Sequence, residues 1–568
     1  MSRDNGKSNG KLNGKSRGKI QTTDSVLGVG ETLAGKHLLV TGVTGFLGKI
    51  WLTMLLEHVP DVGRVTVLIR SNRKGSAVER FWQFAERSPA LRPLRKKLGR
   101  ERFHAFLEEK VEILEGDCGQ PLCGLDEQTL GGLAETLDAV VHFAGLTDFE
   151  PDPLLGLLTN TFGGENAADV AARAKVPRFL HISTAFVAGN VSGHIEESIE
   201  AGLSPNGTRF DPNAVANELL AELRGLETKR ERIDRANEKA IELGWPNIYT
   251  LTKGLSEHLH ALRDDIDLVL VRPAIVESAR NYPFAGWNEG INTSGPLVWL
   301  LSSWFRSFPA NPKNHFDVVP VDTVARGALL VLAAQLRGEA EGVYHFGSSA
   351  TNPLTFRRAI DLTALAARRM HSKEGATPFD RLVVKYMDAV PRGSDKDHFP
   401  SLPFLRKVAQ EGRRYLKDFR PKEQLPDAVY DRWGSALDDK IKKLSMDCRN
   451  ADRTIGLVED MLRLYRPFVH DNDYIFANAN VHALSHRLSD AEREHFRFDI
   501  DDVEWRQYWL EVHVPGLEEW CLPLLRNDRV EDDPPFPRPS RSSAAEGVKV
   551  EAHESKPAPS RRLHEELR

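Results

Sequence analysis

The sequence predicts an α/β fold, a doubly wound parallel sheet followed by a mainly helical C-terminal domain. Three observations support this prediction. Short apolar strands alternate with helical segments through the first 350 residues, as in parallel sheets covered by helices on both faces. A glycine-rich turn joins the first strand to the helix that follows it. Beyond residue 351 the alternation ends and helical periodicity dominates.

The predicted elements follow one another in a regular order. Strands are predicted at residues 36–41, 64–69, 111–114, 139–143, 178–182 and 268–271, and helices at 46–58, 354–369 and 454–465. Residues 31–350 are expected to form the cofactor-binding domain, and residues 351–530 the helical domain. Residues 1–30, with a repeated Asn-Gly-Lys, and residues 531–568, rich in Pro and Ser, have too little apolar surface to fold, so we expect disordered tails.

The composition excludes several classes of protein. The chain has 568 residues, 41% of them hydrophobic, and a formal net charge of -5, which argues against nucleic-acid binding through bulk charge. Cys118, Cys123, Cys448 and Cys521 form no CxxC pair, so neither a disulfide framework nor a zinc ribbon is expected. No apolar run reaches the roughly 18 residues of a membrane span, and no secretory signal is present. We expect a cytoplasmic protein, with peripheral membrane contact left open.

The first strand leads into a turn that predicts a phosphate-binding loop. Gly42, Gly45 and Gly48 are spaced as GxxGxxG. The first glycine permits the tight turn, the second lets the backbone approach a pyrophosphate, and the third lets the helix pack on the strand. The free N–H groups at the helix start favour the phosphates. We expect this Rossmann-type turn to hold a dinucleotide through Gly42, Thr44, Gly45, Phe46, Leu47 and Gly48.

Basic residues after the second strand predict a preference for NADP. A site specific for NAD usually places Asp or Glu here, whereas this chain has Arg70, then Arg73 and Arg80. Because a guanidinium suits a 2′-phosphate, Arg70 and Arg80 are candidate cofactor ligands, and Arg73 is better explained as a surface residue. Asp117, at the end of the next strand, is either an adenine contact or a plain turn residue.

Two further segments carry candidate catalytic groups. Tyr249 and Lys253 are four residues apart, which places both side chains on one face of a helix. Tyrosine is a weak acid, and a neighbouring ammonium should lower its pKa by favouring the phenolate. The pair is then able to exchange a proton with a carbonyl oxygen while a nicotinamide moves hydride. Ser183 or Thr184, at a strand end, is placed to bind the same oxygen.

Together these features resemble the extended short-chain dehydrogenase/reductases. Residues 141–145 (VHFAG) resemble the family's HxAA stretch beside the cofactor, Asn160 with Gly163 resembles its Asn-x-x-Gly-Thr motif, and residues 271–276 (VRPAIV) resemble the strand end beside the nicotinamide. The chain departs from the pattern at Gly145, where Ala is usual, and at Gly164, where Thr is usual. The resemblance implies cofactor contacts for Ala144, Asn160, Tyr249, Lys253, Pro273 and Ile275.

Within that superfamily the chain resembles the alcohol-forming fatty acyl-CoA reductases. The specific likenesses are TGVTGFLGK at 41–49, STAFVAG at 183–189, WPNIYTLTKGLSEHL at 245–259, Gly286-Trp287 and FRFDIDDVEWRQYWLEVHVPGLEEW at 496–520. The resemblance extends over residues 31–525. That family usually carries tyrosine where this chain has Phe186, so no catalysis is expected there.

The resemblance implies an oxidoreductase that uses NADPH to reduce a long-chain fatty acyl-CoA to a primary fatty alcohol, through an aldehyde, releasing coenzyme A. Tyr249 would donate the proton, Thr184 would help to stabilise the oxyanion, and Lys253 would tune Tyr249. Acyl carrier protein thioesters and fatty aldehydes are alternative substrates, and a reductase that stops at aldehyde is an alternative enzyme. A nucleotide-sugar epimerase or dehydratase and a non-catalytic NADP-binding protein are more distant alternatives. No HHxxxDG motif is present, so this chain is not expected to make wax esters itself.

Three weaker signals complete the analysis. Residues 287–305 are a candidate wall for an acyl tunnel. The basic stretch at 92–102 either meets coenzyme A or an acidic carrier protein, or is a solvated helix face, and the second interpretation is favoured. His258 with His260, and His482 with His486, lack the spacing of a zinc site and are interpreted as structural.

Overall fold

The structure is a computed structural model. It describes residues 11–12, 25–73, 75–148, 150–291, 294–301, 307–308, 310–371, 390–391, 402–419, 426, 439–446, 448–449, 452, 455–456, 459, 463–525 and 528–536.

A seven-stranded parallel sheet forms the centre of the molecule. Its strands are β1 (His37–Thr41), β2 (Arg64–Ile69), β3 (Val111–Glu115), β4 (Ala139–His142), β5 (Arg178–Ile182), β6 (Asp267–Pro273) and β7 (Val343–Phe346). They lie in the order β7-β6-β5-β4-β1-β2-β3, and neighbouring strands pair in parallel. The strand order reverses at β1, beside β4, and ligands of doubly wound folds bind beyond the carboxyl ends of strands at such a point. The predicted fold class is therefore confirmed.

The strand sequences explain why the sheet is covered on both faces. β1 (HLLVT) and β4 (AVVH) are buried at every residue, as expected for strands with helices on either side. The six predicted strands are all present, with ends shifted by one or two residues at most. β7 (VYHF), also buried throughout, is not predicted, because a run of four residues that includes a histidine is too short to stand out.

Helices cover both faces of the sheet and form most of the C-terminal region. Up to residue 336 they are α1 (Val29–Leu33), α2 (Phe46–His58), α3 (Ala77–Arg87), α4 (Arg92–Lys110), α5 (Glu127–Thr136), α6 (Pro153–Gly156), α7 (Gly163–Arg173), α8 (Pro212–Gly225), α9 (Lys229–Glu242), α10 (Ile248–Ala261), α11 (Ser294–Leu301) and α12 (Val321–Leu336). After β7 they are α13 (Phe356–His371), α14 (Leu402–Asp418), α15 (Ala479–His486), α16 (Asp490–Phe496), α17 (Trp505–Gln507), α18 (Val514–Trp520) and α19 (Leu522–Leu525). In the described part of the chain, none of these is long and apolar enough to cross a lipid bilayer.

Shorter elements connect the main ones. Single 3₁₀ turns lie at Pro89–Leu91, Pro121–Gly124, Ala185–Ala188 and Ile500–Asp502, and π turns at Leu157–Phe162, Pro467–Asp471 and Tyr508–His513. Small strand pairs join Ile275–Glu277 with Val318–Pro320, Tyr474–Phe476 with Gly193–Ile195, Ser307–Phe308 with Val390–Pro391, and Lys11–Leu12 with Ile199–Glu200. The predicted helices at 46–58 and 354–369 are confirmed. Of the predicted helix at 454–465, residues 455–456, 459 and 463–465 are helical, and the others lie outside the described residues.

The C-terminal region shares its core with the sheet domain. The hydroxyl of Tyr508 donates to the Ser278 carbonyl at 2.7 Å, and the ring of Phe346 in β7 lies 5.1 Å from that of Phe498. One hydrophobic cluster contains buried residues of both regions. The helices after residue 350 therefore pack on the same hydrophobic core as the sheet.

Some residues of both predicted tails pack against the rest of the fold. Leu27 is fully buried, and Asp533 accepts hydrogen bonds from Arg92 and Arg95 of α4. Phe536 stacks on His104 and meets Phe103 of the same helix edge-on. Packed residues therefore occur within both expected tails, because single apolar and acidic residues in these polar stretches have specific partners. Residues 1–10, 13–24 and 537–568 of the expected tails lie outside the described residues.

Candidate active site

The glycine-rich turn forms a tight loop between β1 and α2. Gly42 has φ 76°, and a Cβ at this position would lie 2.5 Å from the backbone nitrogen of Ala144. A Cβ on Gly48 would lie 2.4 Å from the Gly42 carbonyl oxygen, so the first turn of α2 packs directly on the loop. Gly45 is the N-cap of α2 and lies at the surface. The loop thus has the three features that a pyrophosphate cradle requires, a left-handed turn, an accessible backbone and a helix start.

The other residues of the turn lie at its rim. Phe46, half-buried, stacks on Trp287 with ring centroids 5.1 Å apart, and Thr44 and Leu47 are half-buried beside it. Trp287 itself is buried. The predicted tunnel segment therefore begins against the phosphate loop, and α11 continues it, while residues 292–293, 302–306 and 309 lie outside the described residues.

Two arginines and a carboxylate converge after β2 and β3. Arg70 lies 3.6 Å from a carboxylate oxygen of Asp117, and Arg80 donates to the carbonyl oxygen of Arg70. Burial and the charge of Arg70 lower the pKa of Arg80. Because the charges of the two guanidinium groups repel each other, an anion bound by both would be stabilised. Arg73 is exposed, in agreement with its interpretation as a surface residue.

Tyr249 is positioned by the N-terminus of α10. Asn247 caps this helix by accepting from the Thr250 N–H at 3.0 Å. Trp245, fully buried, donates from Nε1 to the Val187 carbonyl at 2.9 Å, which fastens α10 to the turn that follows β5. The WPN segment therefore fixes where α10 begins, and Tyr249 lies in its first turn.

The phenol of Tyr249 meets the hydroxyl of Thr184. The two side chains are hydrogen bonded, and burial raises the pKa of Tyr249 to about 12. Thr184 lies just beyond the end of β5, and its Oγ1 is 3.5 Å from the Pro273 carbonyl oxygen. Ser183 is buried, and its Oγ has no hydrogen-bond partner within the described residues. A carbonyl oxygen entering beside Tyr249 would therefore find several hydroxyl donors.

Lys253 is buried one helical turn after Tyr249. Its Nζ donates to the Ile182 carbonyl at 2.8 Å and lies 3.4 Å from Nε2 of His181. Burial lowers the pKa of Lys253 to about 8, and the charge of Glu257 partly opposes that change. The expected lowering of the Tyr249 pKa by Lys253 is not found, because burial of the phenol dominates. Tyr249 therefore holds its proton at neutral pH, as a proton donor must.

Asn160 supports the loop after β4. Its Nδ2 donates to the Leu146 carbonyl and to Thr252 Oγ1, both at 3.1 Å, and its Oδ1 accepts from the Leu146 N–H at 2.7 Å. A Cβ on Gly145 would lie 3.2 Å from Asn160 Oδ1 and 3.8 Å from Lys253 Nζ. Asn160 thus connects α10 with the loop that passes closest to the lysine, and it lies in a π turn, an element often found at functional sites.

The remaining predicted cofactor residues lie at the end of β6. Pro273 is its last residue, and the Ile275 N–H donates to the Asp317 carbonyl at 3.0 Å. Both residues are buried, and Pro273 adjoins Thr184. The structure thus brings the predicted residues of β1, β4, β5, β6 and α10 together at the carboxyl edge of the sheet, and Arg70, Arg80 and Asp117 at the same edge further along.

His181 is a site residue that the sequence analysis does not identify. It lies in β5, two residues before Ser183, and its side chain is fully buried. A polar side chain within an otherwise apolar strand is the signal that points to it. In the basic stretch of α4, Arg92 and Arg95 bind Asp533 of this same chain.

Comparisons with known proteins agree with this geometry. Two models of the family described as "Male sterility protein" match residues 40–328 and 435–523. The "Probable fatty acyl-CoA reductase 4" of Arabidopsis thaliana is 30% identical over 513 residues, covering 87% of this chain and 98% of that protein. The "Alcohol-forming fatty acyl-CoA reductase" of Simmondsia chinensis is 28% identical, with the same coverage.

A solved structure has weaker similarity. The terminal R domain from the myxalamid PKS-NRPS biosynthetic pathway is 17% identical, with a TM-score of 0.45, over 80% of this chain and 85% of that one. The sequence relatives by contrast span both the sheet domain and the helical region. The family model covers half of the chain, from β1 into α12, and so includes every predicted catalytic residue. The chain belongs to the male sterility protein family, among the fatty acyl-CoA reductases, as its motifs predict.

Proposed function

We propose that this protein is an alcohol-forming reductase, which uses two molecules of NADPH to convert a long-chain fatty acyl-CoA to a primary alcohol and coenzyme A. The observation that carries the proposal is the Tyr249–Thr184 hydrogen bond beside Lys253, at the sheet edge where the glycine-rich loop opens. The names of the relatives with 28–30% identity over most of their length support the substrate class.

The residues of the crevice fit a dinucleotide that carries a 2′-phosphate. A side chain at Gly42 or Gly48 would collide with backbone atoms, and Gly45 is exposed at the start of α2, which suits a pyrophosphate lying against the backbone. Arg70 and Arg80 would bind the 2′-phosphate, and Asp117, now 3.6 Å from Arg70, would face the adenosine end. When bound, NADPH supplies hydride to the carbonyl carbon. The convergence of two guanidinium groups is the reason for proposing NADPH over NADH.

The thioester carbonyl is activated by hydroxyl donors. Tyr249 and Thr184 would donate to the carbonyl oxygen and stabilise the oxyanion that forms when hydride adds. Because burial keeps Tyr249 protonated, this donation requires no prior ionisation. Expulsion of the thiolate from the tetrahedral centre leaves an aldehyde, and protonation of the thiolate gives free coenzyme A.

The aldehyde is reduced at the same hydroxyl pair. Tyr249 would transfer its proton to the alkoxide as the second hydride adds, which gives the alcohol. Lys253, charged at neutral pH, stabilises the phenolate that Tyr249 then carries until it is reprotonated. Over both steps, one thioester, two hydrides and two protons are consumed for one alcohol and one thiol.

The test is a product analysis with the full-length protein. Palmitoyl-CoA and NADPH are supplied, oxidation of the nicotinamide and release of thiol are followed, and the lipids are extracted. We expect fatty alcohol, with two NADPH oxidised per thiol. With NADH the rate should fall at least about tenfold, because a lost charge-assisted hydrogen bond costs about 1.4 kcal/mol or more.

Other outcomes would change the proposal in defined ways. Aldehyde accumulating with one NADPH per thiol would make the enzyme a two-electron reductase. Oxidation with palmitaldehyde and none with palmitoyl-CoA would make it an aldehyde reductase. No oxidation with either substrate would overturn the proposed reaction.

A further inference from the structure

Three buried histidines lie side by side next to the candidate catalytic lysine. His142 of β4, His181 of β5 and His260 of α10 are each fully buried. The rings of His142 and His181 stack with centroids 5.3 Å apart, and the ring of His260 meets that of His181 edge-on at 4.9 Å. Burying an imidazole costs free energy unless its nitrogens are hydrogen bonded, and the reaction described above uses none of these three rings.

His181 is the member of this group that touches Lys253. The distance from Lys253 Nζ to His181 Nε2 is 3.4 Å. An ammonium only donates, so Nε2 is the acceptor and the ring carries its proton on Nδ1. Burial and the charge of Lys253 hold the pKa of His181 well below its usual value, which keeps the Nε2 lone pair available throughout the neutral range.

His260 connects this pair to the protein surface. Its Nε2 lies 3.0 Å from a carboxylate oxygen of Glu165 in α7, and Glu165 is 3.5 Å from Arg263. Tyr249, Lys253 and His260 lie on one face of α10, because they are separated by four and seven residues. The ring of His181 lies against both Lys253 and His260, which are two helical turns apart.

Gly164 makes room for this arrangement. A Cβ at position 164 would lie 2.5 Å from Ser256 Oγ and 3.1 Å from Cε1 of His260. The threonine that is usual at this position in extended short-chain dehydrogenase/reductases would therefore collide with both side chains. The departure at Gly164 and the presence of His260 fit together as one local adaptation of this chain.

We propose that His181 is a positioning residue for Lys253, supplying the acceptor that aims its ammonium and favours its charged state, and that His260 and Glu165 hold His181 in place. The inference rests on the proposed function, since it assigns a role around the same lysine. The titratable groups that interact with Lys253 are Glu257 of its own helix, His181 of β5 and His142 of β4. Glu257 itself forms an ion pair with Arg272.

The proposal is tested by two substitutions that differ in one property. His181→Phe keeps a ring of similar shape but removes the acceptor, whereas His181→Gln keeps an acceptor oxygen. With phenylalanine, Lys253 should lose its proton more readily. The basic limb of the kcat profile should therefore move about one pH unit lower, and kcat at pH 8 should fall about fivefold. In His181→Gln, the basic limb of the kcat profile should stay within about 0.3 pH units of its position in the wild type.

The matched control is His258→Gln. His258 is also buried on α10, but it faces Gly202 and not Lys253. If His181 had a purely structural role, His181→Phe would lower kcat without moving the basic limb, as we expect of His258→Gln if it affects kcat at all. A lower kcat with an unmoved limb in His181→Phe would therefore overturn the proposal. An unmoved limb with unchanged kcat in His181→Phe would overturn it as well. If the phenylalanine variant does not fold, His181→Leu replaces it with the same expectations.

A separate variant distinguishes this inference from the proposed function. If Tyr249→Phe is inactive and His181→Phe behaves as wild type, the reaction assignment stands and the role of His181 is wrong. If Tyr249→Phe retains full turnover, the assignment of the reacting site fails, and the role of His181 fails with it.

Discussion

At the scale of single residues, burial sets the protonation of the two groups closest to the reaction. It raises the pKa of Tyr249 to about 12 and lowers that of Lys253 to about 8. The two values move apart, so the pair rests as neutral phenol and ammonium at pH 7. Such a resting state suits proton donation in carbonyl reduction, and deprotonation of an alcohol in the reverse direction would require the phenol to ionise first.

Replacing the phenol tests this assignment. Tyr249→Phe should lower kcat about 10²- to 10⁴-fold, the usual contribution of a positioned proton donor. Binding of NADPH, measured by titration calorimetry, should be nearly unchanged, because the phosphate loop and the arginines are untouched. Tyr415→Phe is the control, since Tyr415 is 71% exposed on α14, and its activity should equal that of the wild type. Turnover by Tyr249→Phe at the wild-type rate would remove Tyr249 from the reaction.

At the scale of elements, the junction of β1 and α2 determines where a cofactor is able to lie. Gly42 provides the left-handed turn, and Gly48 brings the first turn of α2 to within contact of the loop backbone. The sequence predicts this junction well, since glycine spacing after a strand and before a helix has a direct steric meaning. The WPN segment acts similarly for α10, because the Asn247 cap and the Trp245 hydrogen bond fix the start of the helix that carries Tyr249.

A pair of glycine substitutions tests the close packing of α2. In Gly48→Ala the new Cβ would meet the Gly42 carbonyl oxygen at 2.4 Å. We expect lower stability, by about 1–3 kcal/mol as for overpacked sites, together with weaker NADPH binding. Gly131→Ala is the control, because Gly131 lies in α5 with open space around it. That variant should be more stable by up to about 1 kcal/mol.

Urea unfolding followed by circular dichroism gives both stabilities, and calorimetry gives the NADPH affinities. The two variants should change stability in opposite directions. Equal behaviour of the two would show that the contact between α2 and the loop is loose.

At the scale of the whole molecule, the C-terminal region completes the fold and encloses many of its titratable groups. Its buried side chains join those of the sheet domain in one cluster, and Asp533 near the end of the described chain binds α4. His513 is one of the groups so enclosed, with its ring nitrogens 2.9 Å from Ser294 Oγ and 3.1 Å from Ser278 Oγ. Burial lowers the pKa values of His258 and His513 to about 4 and about 3.

These buried histidines predict a loss of stability on acidification. In the unfolded chain a histidine takes up a proton below its usual pKa of about 6.5, whereas His258, His345 and His513 stay neutral in the fold until about pH 4 or 3. Stability should therefore fall as the pH drops from 6.5 to 5, by up to about 1.4 kcal/mol per pH unit for each histidine. Glu197, Asp317 and Asp322, whose pKa values burial raises, act in the opposite direction. The histidines whose pKa values burial lowers outnumber them.

Urea denaturation at pH 7 and at pH 5 measures the effect. His513→Gln should make the free energy of unfolding less dependent on pH, because one protonating group is removed. Glutamine is able to keep the contacts with Ser294 and Ser278. His486→Gln, a substitution at an exposed position of α15, should leave the dependence unchanged. Stability that is equal or greater at pH 5 would show that the buried histidines do not control the acid response.

The sequence by itself determines the fold class, six of the seven strands, the glycine loop, the Tyr249–Lys253 pair and the family. Each of these depends on short-range patterns, such as strand periodicity, glycine intervals or residues on one face of a helix. Such patterns predict local structure without knowledge of distant parts of the chain. The start of α10 is also local, since WPN supplies the anchor and the cap.

The tertiary structure decides what depends on long-range neighbours. Sequence proximity suggested that Lys253 would lower the pKa of Tyr249, but burial by β5, β6 and α10 raises it. His181 contacts His260 and Lys253 only because the fold places β5 beside α10. Asp533 forms an ion pair with Arg95, which lies 438 residues away in the sequence. A pKa or an ion pair depends on the dielectric and charges around a group, which the fold assembles from distant parts of the chain.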